Sequence, residues 1–495
     1  MNLPSRSGRA AIRTVLCVAA VCVSPSGPTV AAEPASDAAP AADWGSAPNP
    51  YFLPEGRRFG DTFPIFKDGQ WHLFCMWMPH FGHFVSRDLL HWEKRPETPF
   101  GGATGCVIEH QGKFYMFYTG AQNINLATSD DLDRWRVHDK NPVVQGDDKL
   151  YQRANFRDAF VLFNEDEKLW WMLFGTRLMH QPGQRAGCVG VAKSKDLLHW
   201  QLAPPLWAPN IGPHTDCPQL IQHGKRWYLI YLQRHTRYRV ADSPSGPWRR
   251  APIRDLDSRM AAAGSRPATD GTRWISFPFL VTPKEHNDLG SWGYGGELAV
   301  PRQWGFQEDG SITVRPADEI VRAVAGSPAG RRKPLEGARP LIGKWDLTEG
   351  RTARSSNNSG GTLLLTDTPA NFYFQADVTL GSEDMDAHLL MNVKPDLTVG
   401  YQLSLHPRTD RATLRAISYW DTDRVLETAP VKIDAGRPFK LRVFRSGSIV
   451  EAFFDDKAVL THRLFQHKDG TLALEFRDGP GAFSNILIRR LARIP

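Results

Sequence analysis

The feature that most constrains this chain is a unit that recurs five times between residues 69 and 276. Each copy is a turn followed by an aromatic strand: Gly69-Gln70-Trp71-His72-Leu73-Phe74, Gly112-Lys113-Phe114-Tyr115-Met116-Phe117, Lys168-Leu169-Trp170-Trp171-Met172-Leu173, Gly224-Lys225-Arg226-Trp227-Tyr228-Leu229 and Gly271-Thr272-Arg273-Trp274-Ile275-Ser276. The starts lie 43, 56, 56 and 47 residues apart, the span of one four-stranded propeller blade. A second element follows in several copies: Ser86-Arg87-Asp88-Leu89-Leu90-His91-Trp92, Ser129-Asp130-Asp131-Leu132-Asp133-Arg134-Trp135, Ser194-Lys195-Asp196-Leu197-Leu198-His199-Trp200 and a shortened Ser243-Pro244-Ser245-Gly246-Pro247-Trp248. Its Asp is expected to cap a turn, and its Trp to pack between neighbouring blades. No long amphipathic helix pattern competes with this reading. The expected class is all-β, with a five-bladed β-propeller over residues 49–322.

Around Ala323–Gly337 the composition turns to Ala, Gly, Ser, Pro and Arg, so residues 323–339 read as a linker. Beyond it, alternating runs such as Phe372-Tyr373-Phe374-Gln375-Ala376-Asp377-Val378 and Phe439-Lys440-Leu441-Arg442-Val443-Phe444 are separated by turns at Ser446-Gly447 and Asp469-Gly470. Residues 340–495 are expected to form a β-sandwich. At the other end, Arg6, Arg9 and Arg13 precede a short apolar run, Thr14–Val23, and small residues end at Ala32. That pattern predicts a signal peptide over 1–32, cleavage after Ala32, and a secreted or periplasmic protein. Residues 33–48 then read as a flexible lead-in.

Loss of the three signal arginines would lower the formal net charge from +7 to +4. With no basic stripe, a nucleic-acid partner is not expected. No apolar run is long enough for a transmembrane helix, so no membrane partner is expected either. Four cysteines remain after the signal, Cys75, Cys106, Cys188 and Cys217, without a CxxC pair or zinc spacing. No metal and no cofactor are expected, and oligomeric state is left open.

The repeat also aligns acids. Asp61 lies eight residues before Gly69, Thr104 eight before Gly112, and Asp216 eight before Gly224. Asp158 opens the third unit ahead of a longer turn, Asn164-Glu165-Asp166-Glu167. The first strand of a blade lines the propeller axis, so three carboxylates are expected to face one funnel. A single Asp at a strand start is ordinarily a turn cap or an ion-pair partner. Three that converge are electrostatically costly unless they have work to do. Glycoside hydrolysis would use them: one acid protonates the leaving oxygen and another carboxylate attacks the anomeric carbon or activates water.

The same residues resemble glycoside hydrolase family 32, the invertases, levanases, inulinases and other fructosidases. Phe59-Gly60-Asp61 through Phe74 resembles the segment that carries the family nucleophile, and Gly82–Trp92 the segment after it. Phe156-Arg157-Asp158 resembles an Arg-Asp-Pro motif, and Asp216-Cys217-Pro218 a Glu-Cys-Pro motif. Gly296-Glu297-Leu298-Ala299-Val300-Pro301-Arg302 resembles the end of the propeller. Ser446-Gly447-Ser448-Ile449-Val450-Glu451-Ala452-Phe453-Phe454 resembles a strand of the C-terminal sandwich. The resemblance implies Asp61 as nucleophile, Asp216 as acid/base and Asp158 as transition-state stabiliser, supported by Arg157 and Cys217. Trp77, Thr104, His83 and Trp292 become candidates to line the sugar pocket, with core packing as the ordinary alternative for each.

The departures are specific. Asp216 stands where the family has Glu. Gly60-Asp61-Thr62-Phe63-Pro64 replaces Asn-Asp-Pro-Asn-Gly, Met76 and Met78 replace Gln and Asn, and Ala159 replaces Pro. A site that hydrogen-bonds fewer hydroxyls selects a different sugar. The expected function is cleavage of furanosidic, principally β-fructofuranosidic, bonds in an oligo- or polysaccharide. Two alternatives stand beside it: an arabinofuranosidase-like or other furanoside-active propeller hydrolase, with inversion open to it, and a non-catalytic glycan-binding propeller.

Overall fold

A computed structural model describes residues 42–494 apart from 234, 254, 259–265, 291 and 419–423. The predicted signal, 1–32, and residues 33–41 of the lead-in lie outside the described residues.

Blade 1 is an antiparallel meander of Gly60–Lys67, Gln70–Trp77, His80–Ser86 and Glu93–Lys94. Blade 2 repeats it over Ala103–His110, Lys113–Gly120, Asn123–Ser129 and Trp135–Val137, and blade 3 over Arg157–Asn164, Leu169–Arg177, Gly187–Ser194 and Gln201–Trp207. Blade 4 has Asp216–His223, Arg226–Gln233 and His235–Ala241. Blade 5 (Pro267–Thr269, Trp274–Ser276, Arg302–Phe306, Ile312–Pro316) carries an insertion between its second and third strands, where Thr282–Pro283 pairs with Trp292–Gly293. The innermost strands of blades 1 to 4 pack side by side in order, and that of blade 5 lies against blade 1 and closes the ring.

The second repeated element explains how blades adhere. Asp88, Asp131 and Asp196 each accept backbone N–H bonds from the residues two and three positions on, which turns the chain and leaves Leu89, Leu132 and Leu197 in the left-handed region. The following Trp is thereby turned toward the preceding blade: Trp135 meets Phe74 at 5.7 Å and Trp200 meets Phe117 at 5.6 Å, both edge-on. In the same way Trp92 of blade 1 meets Phe277 of blade 5 at 6.0 Å.

The C-terminal region is a sandwich of a seven-stranded and an eight-stranded sheet around a core that includes Phe374, Leu403, Val443 and Phe476. Two details differ from the sequence reading. The lead-in ends early, because Trp44 is buried against the sandwich, donates from Nε1 to Asp367 O (2.7 Å), and is followed by Ser46–Ala47, which pairs with Arg490–Leu491. The stretch read as a linker begins inside a helix, Asp318–Ala325, whose acidic first turn suits the helix dipole and whose Ile320 and Val324 are buried.

Two motifs far apart in sequence meet where the sandwich joins the propeller. Glu451 accepts from Val300 N (2.9 Å) and from Arg302 Nη2 (2.6 Å), and Thr461 Oγ1 adds a third bond (3.1 Å). Both charged side chains are buried. Arg463, also from the sandwich, pairs with Glu297 and donates from Nε to Val281 O (2.8 Å).

Candidate active site

The innermost strands of blades 1 to 4 share a defect that sets the site. Each carries a β-bulge at its start, between Gly60 and Thr62, Ala103 and Gly105, Arg157 and Phe160, and Asp216 and Gln219. A bulge inserts one unpaired residue and re-aims its side chain. Counted back from the last paired residue of each hairpin (Lys67, His110, Asn164, His223), the equivalent positions are Asp61, Thr104, Asp158 and Cys217. Three of these residues are left-handed: φ is +28° at Asp61, +64° at Asp158 and +50° at Cys217. Such strain in non-glycine residues costs on the order of 1–3 kcal/mol each and concentrates at functional sites.

Asp216 therefore sits one residue upstream of the position Asp61 holds. The turn glycine misleads the count: Gly224 is the first residue of its two-residue loop, whereas Gly69 and Gly112 are the second. The structural counterpart of Asp216 in blade 3 is Arg157, and the two bond across the blades. Arg157 reaches Asp216 Oδ1 through Nε and Nη2, both at 2.9 Å. Their neighbours bond in the same fashion, Cys217 N donating to Asp158 Oδ2 at 2.9 Å. Asp158 N in turn donates to Thr119 Oγ1 (2.9 Å), whose hydroxyl donates to Thr104 O (3.1 Å).

Asp61 and Asp216 line one cavity of about 810 Å³, together with His214, Gln233, Arg237, Phe279 and Tyr294. Asp158 lies behind its wall, 4 % exposed. The three acids are electrostatically joined. Burial raises the Asp158 carboxyl well above the usual carboxylate range, and the charges of Asp216 and Asp61 push it the same way. Burial also raises Asp61, with Arg266 and the Tyr294 hydroxyl acting in the opposite sense. Among the described residues, Asp216 Oδ2 has no protein partner, since both bonds from Arg157 end on Oδ1.

The remaining candidates separate. Cys217 is buried at the bulge, its thiol pKa pushed up by burial and then by Asp158. Thr104 is fully buried and its hydroxyl has no hydrogen-bond partner among the described residues. Trp77 and His83 do not reach the cavity. Trp77 is packed on Phe84 at 4.9 Å beneath Arg57 and Lys94, and His83 is stacked on Phe74 at 4.1 Å beside His72 and Asp133. The Trp292 backbone pairs with Pro283, next to cavity-lining Gly293, and its side chain lies outside the described residues.

Three residues of the site went unread in the sequence. Arg266, 3 % exposed, donates from Nη1 to Gly105 O (2.6 Å) and supplies positive charge beneath the acids. It precedes the shortest innermost strand, where the repeat signal is faint. His214 lies two residues before Asp216, with Arg157 against Nδ1 and Arg177 3.0 Å from Nε2. A neutral imidazole accepts at one nitrogen only, so one guanidinium bonds and the other merely abuts. Burial lowers the His214 pKa, with Arg157 and Arg177 adding to it and the Asp216 charge opposing it. Tyr294 belongs to the segment just before Gly296-Glu297, where a Tyr among glycines could have been noticed.

Comparisons with known proteins place the chain in a family. Residues 62–248 match the sequence model of the glycosyl hydrolases family 32 N-terminal domain, and residues 345–488 match that of the family 32 C terminal. The chain belongs to glycoside hydrolase family 32. The N-terminal match begins one residue after Asp61 and includes Asp158 and Asp216. A sucrose-6-phosphate hydrolase of Zymomonas mobilis is 29% identical over 202 residues, covering 34% of this chain and 38% of that protein. The chain thus spans 38% of the length of the first curated relatives it matches. A sucrose-6-phosphate hydrolase of Klebsiella pneumoniae is 25% identical over 85% of this chain and 88% of its own. The fold of fructan 1-exohydrolase IIa from Cichorium intybus superposes with a TM-score of 0.64 at 16% identity, covering 90% of this chain and 98% of that one.

Proposed function

We propose that this family 32 protein hydrolyses β-fructofuranosidic bonds of an oligo- or polysaccharide. The observation that carries the reading is the sharing of one cavity by Asp61 and Asp216, with Asp158 electrostatically coupled behind them. Asp61 attacks the anomeric carbon. Asp216 delivers a proton from its free oxygen to the leaving oxygen and later takes one from water. Asp158 holds Cys217 in the strained bulge through its backbone bond and adds negative charge where the oxocarbenium-like transition state becomes positive. Relatives named levanase and exo-inulinase support fructans as the first substrates to try.

The bond from Arg157 to Asp216 gives the glycan-binding alternative its one support, because it occupies one oxygen of the carboxylate assigned to proton delivery. The deciding experiment is a furanoside panel (sucrose, inulin, levan and arabinofuranosides) with products followed by NMR. Release of fructose is expected. Release of arabinose alone, or binding without cleavage, would replace the proposal with one of the alternatives. Export is proposed from residues 1–32, and N-terminal sequencing of protein recovered outside the cytoplasm should begin at Glu33.

A further inference from the structure

Tyr294 lies at the cavity rim, 52 % exposed, and its ring rests on the start of the strand that carries Asp61. A Cβ at Gly60 would overlap that ring, so the neighbouring glycine is what lets the tyrosine approach. Phe279 supports the ring from the other side, 5.3 Å between centroids. The hydroxyl sits over Gly60, the residue before Asp61, where it favours the ionised form of the Asp61 carboxyl, and it donates to Met76 Sδ at 3.9 Å. A tyrosine has one proton to give, and a carboxylate is a far stronger acceptor than a thioether.

We propose that Tyr294 is a positioning residue for Asp61, donating to one carboxylate oxygen so that the other is presented to the anomeric carbon. The inference rests on Asp61 being the nucleophile. Asp61 sits in a strained, left-handed bulge, and among the described residues Arg266 is the cation that acts on its carboxylate. A second donor fixes its rotation and favours its ionised form. During attack, the Asp61 oxygen bonds to the anomeric carbon while the bond to the leaving oxygen breaks. That oxygen takes the proton of Asp216, and the tyrosine proton does not move. Although the ring edge is exposed, desolvation at the hydroxyl and then the adjacent Asp61 charge raise the Tyr294 pKa, so its hydroxyl stays a donor throughout the working range.

The segment that carries Tyr294 is anchored from both domains. Gly296 N donates to Phe59 O (2.9 Å), Thr282 Oγ1 donates to Gly295 O (2.8 Å), and Glu297 pairs with Arg463 of the sandwich. The sandwich thereby helps to set a contact at the propeller axis.

The test is Tyr294→Phe beside Asp61→Asn, with kcat, KM and pH profiles on the fructoside that the panel identifies. Phe keeps the ring and removes only the donor. A hydrogen bond to a charged group is worth enough that kcat should fall about 10- to 100-fold, with KM changed less than about threefold. The acid limb of kcat/KM should move to higher pH, since Asp61 loses a bond that favours its ionised form. That limb does not depend on how much enzyme is folded. If Asp61→Asn is inactive while Tyr294→Phe keeps wild-type kcat and an unmoved limb, the role given to Tyr294 is overturned and the function stands. If Asp61→Asn turns over like wild type, both fall together.

Discussion

The propeller funnel and the propeller–sandwich interface both bury carboxylates beside arginines, but they balance the charge differently. At the interface, Glu451 is bonded by Arg302, and a backbone N–H and a hydroxyl complete its shell. In the funnel, among the described residues, Asp61, Asp158 and Asp216 are engaged by the guanidiniums of Arg157 and Arg266, while cavity-lining Arg237 is paired with Asp255. The first arrangement holds two domains in register. The second leaves negative charge under-compensated where a developing cation would sit, which is what a glycosidase transition state needs. Burial alone does not identify a site; an incomplete set of partners does.

The largest effect that would break this contrast is on turnover. Asp61→Asn should lower kcat by about 10³-fold or more and leave the thermal midpoint equal to wild type or higher, because it removes a charge that burial disfavours. A variant that lost activity and stability together would make Asp61 a structural acid like Glu451.

The interface predicts the reverse. Glu451→Gln removes the carboxylate that bonds buried Arg302, leaving it only the more weakly engaged charge of Asp257, and should cost up to about 3–5 kcal/mol of stability. Adding Arg302→Met should recover part of that loss, since an apolar replacement needs no partner. Chemical denaturation of the two single variants and the double variant measures the coupling. Additive losses would mean that the pair does not act as a unit. The kcat per folded molecule of Glu451→Gln should stay within a few-fold of wild type, because Arg463, not Glu451, anchors the Tyr294 segment.

The contrast was only half legible in the sequence. Both interface partners stood in quoted motifs, Ala-Val-Pro-Arg and Ile-Val-Glu-Ala-Phe-Phe, yet nothing in either says that they touch, because their separation of 149 residues is spanned by two sheets. The blades were readable because turn, aromatic strand and Ser-x-Asp-Leu recur with local hydrogen bonds. The acids were readable as strand starts, but the bulges were not. A bulge shifts register by one residue without changing composition, so Asp216 counted as the equal of Asp61 when its partner in space is Arg157. Arg266 and Tyr294 come from the least regular blade, where no repeat marks position.

The subtlest test concerns pH. Asp158 has a folded-state pKa raised first by burial and then by Asp216 and Asp61. The stability that its protonated form contributes is fully present below the unfolded carboxyl value and is lost as pH rises through the folded value. Asp158→Asn keeps the shape and an acceptor for Cys217 N–H, but cannot ionise. Wild type and variant should therefore have similar midpoints at pH 4, with the variant gaining about 1–3 kcal/mol over wild type by pH 8, while its activity falls. Thermal melts across that range read the gap directly. A gap that does not open with pH would mean that Arg266 and the Cys217 N–H already neutralise Asp158 as completely as Arg302 and Val300 N–H neutralise Glu451. The funnel would then be a second latch, and its acids would have to find their function elsewhere than in uncompensated charge.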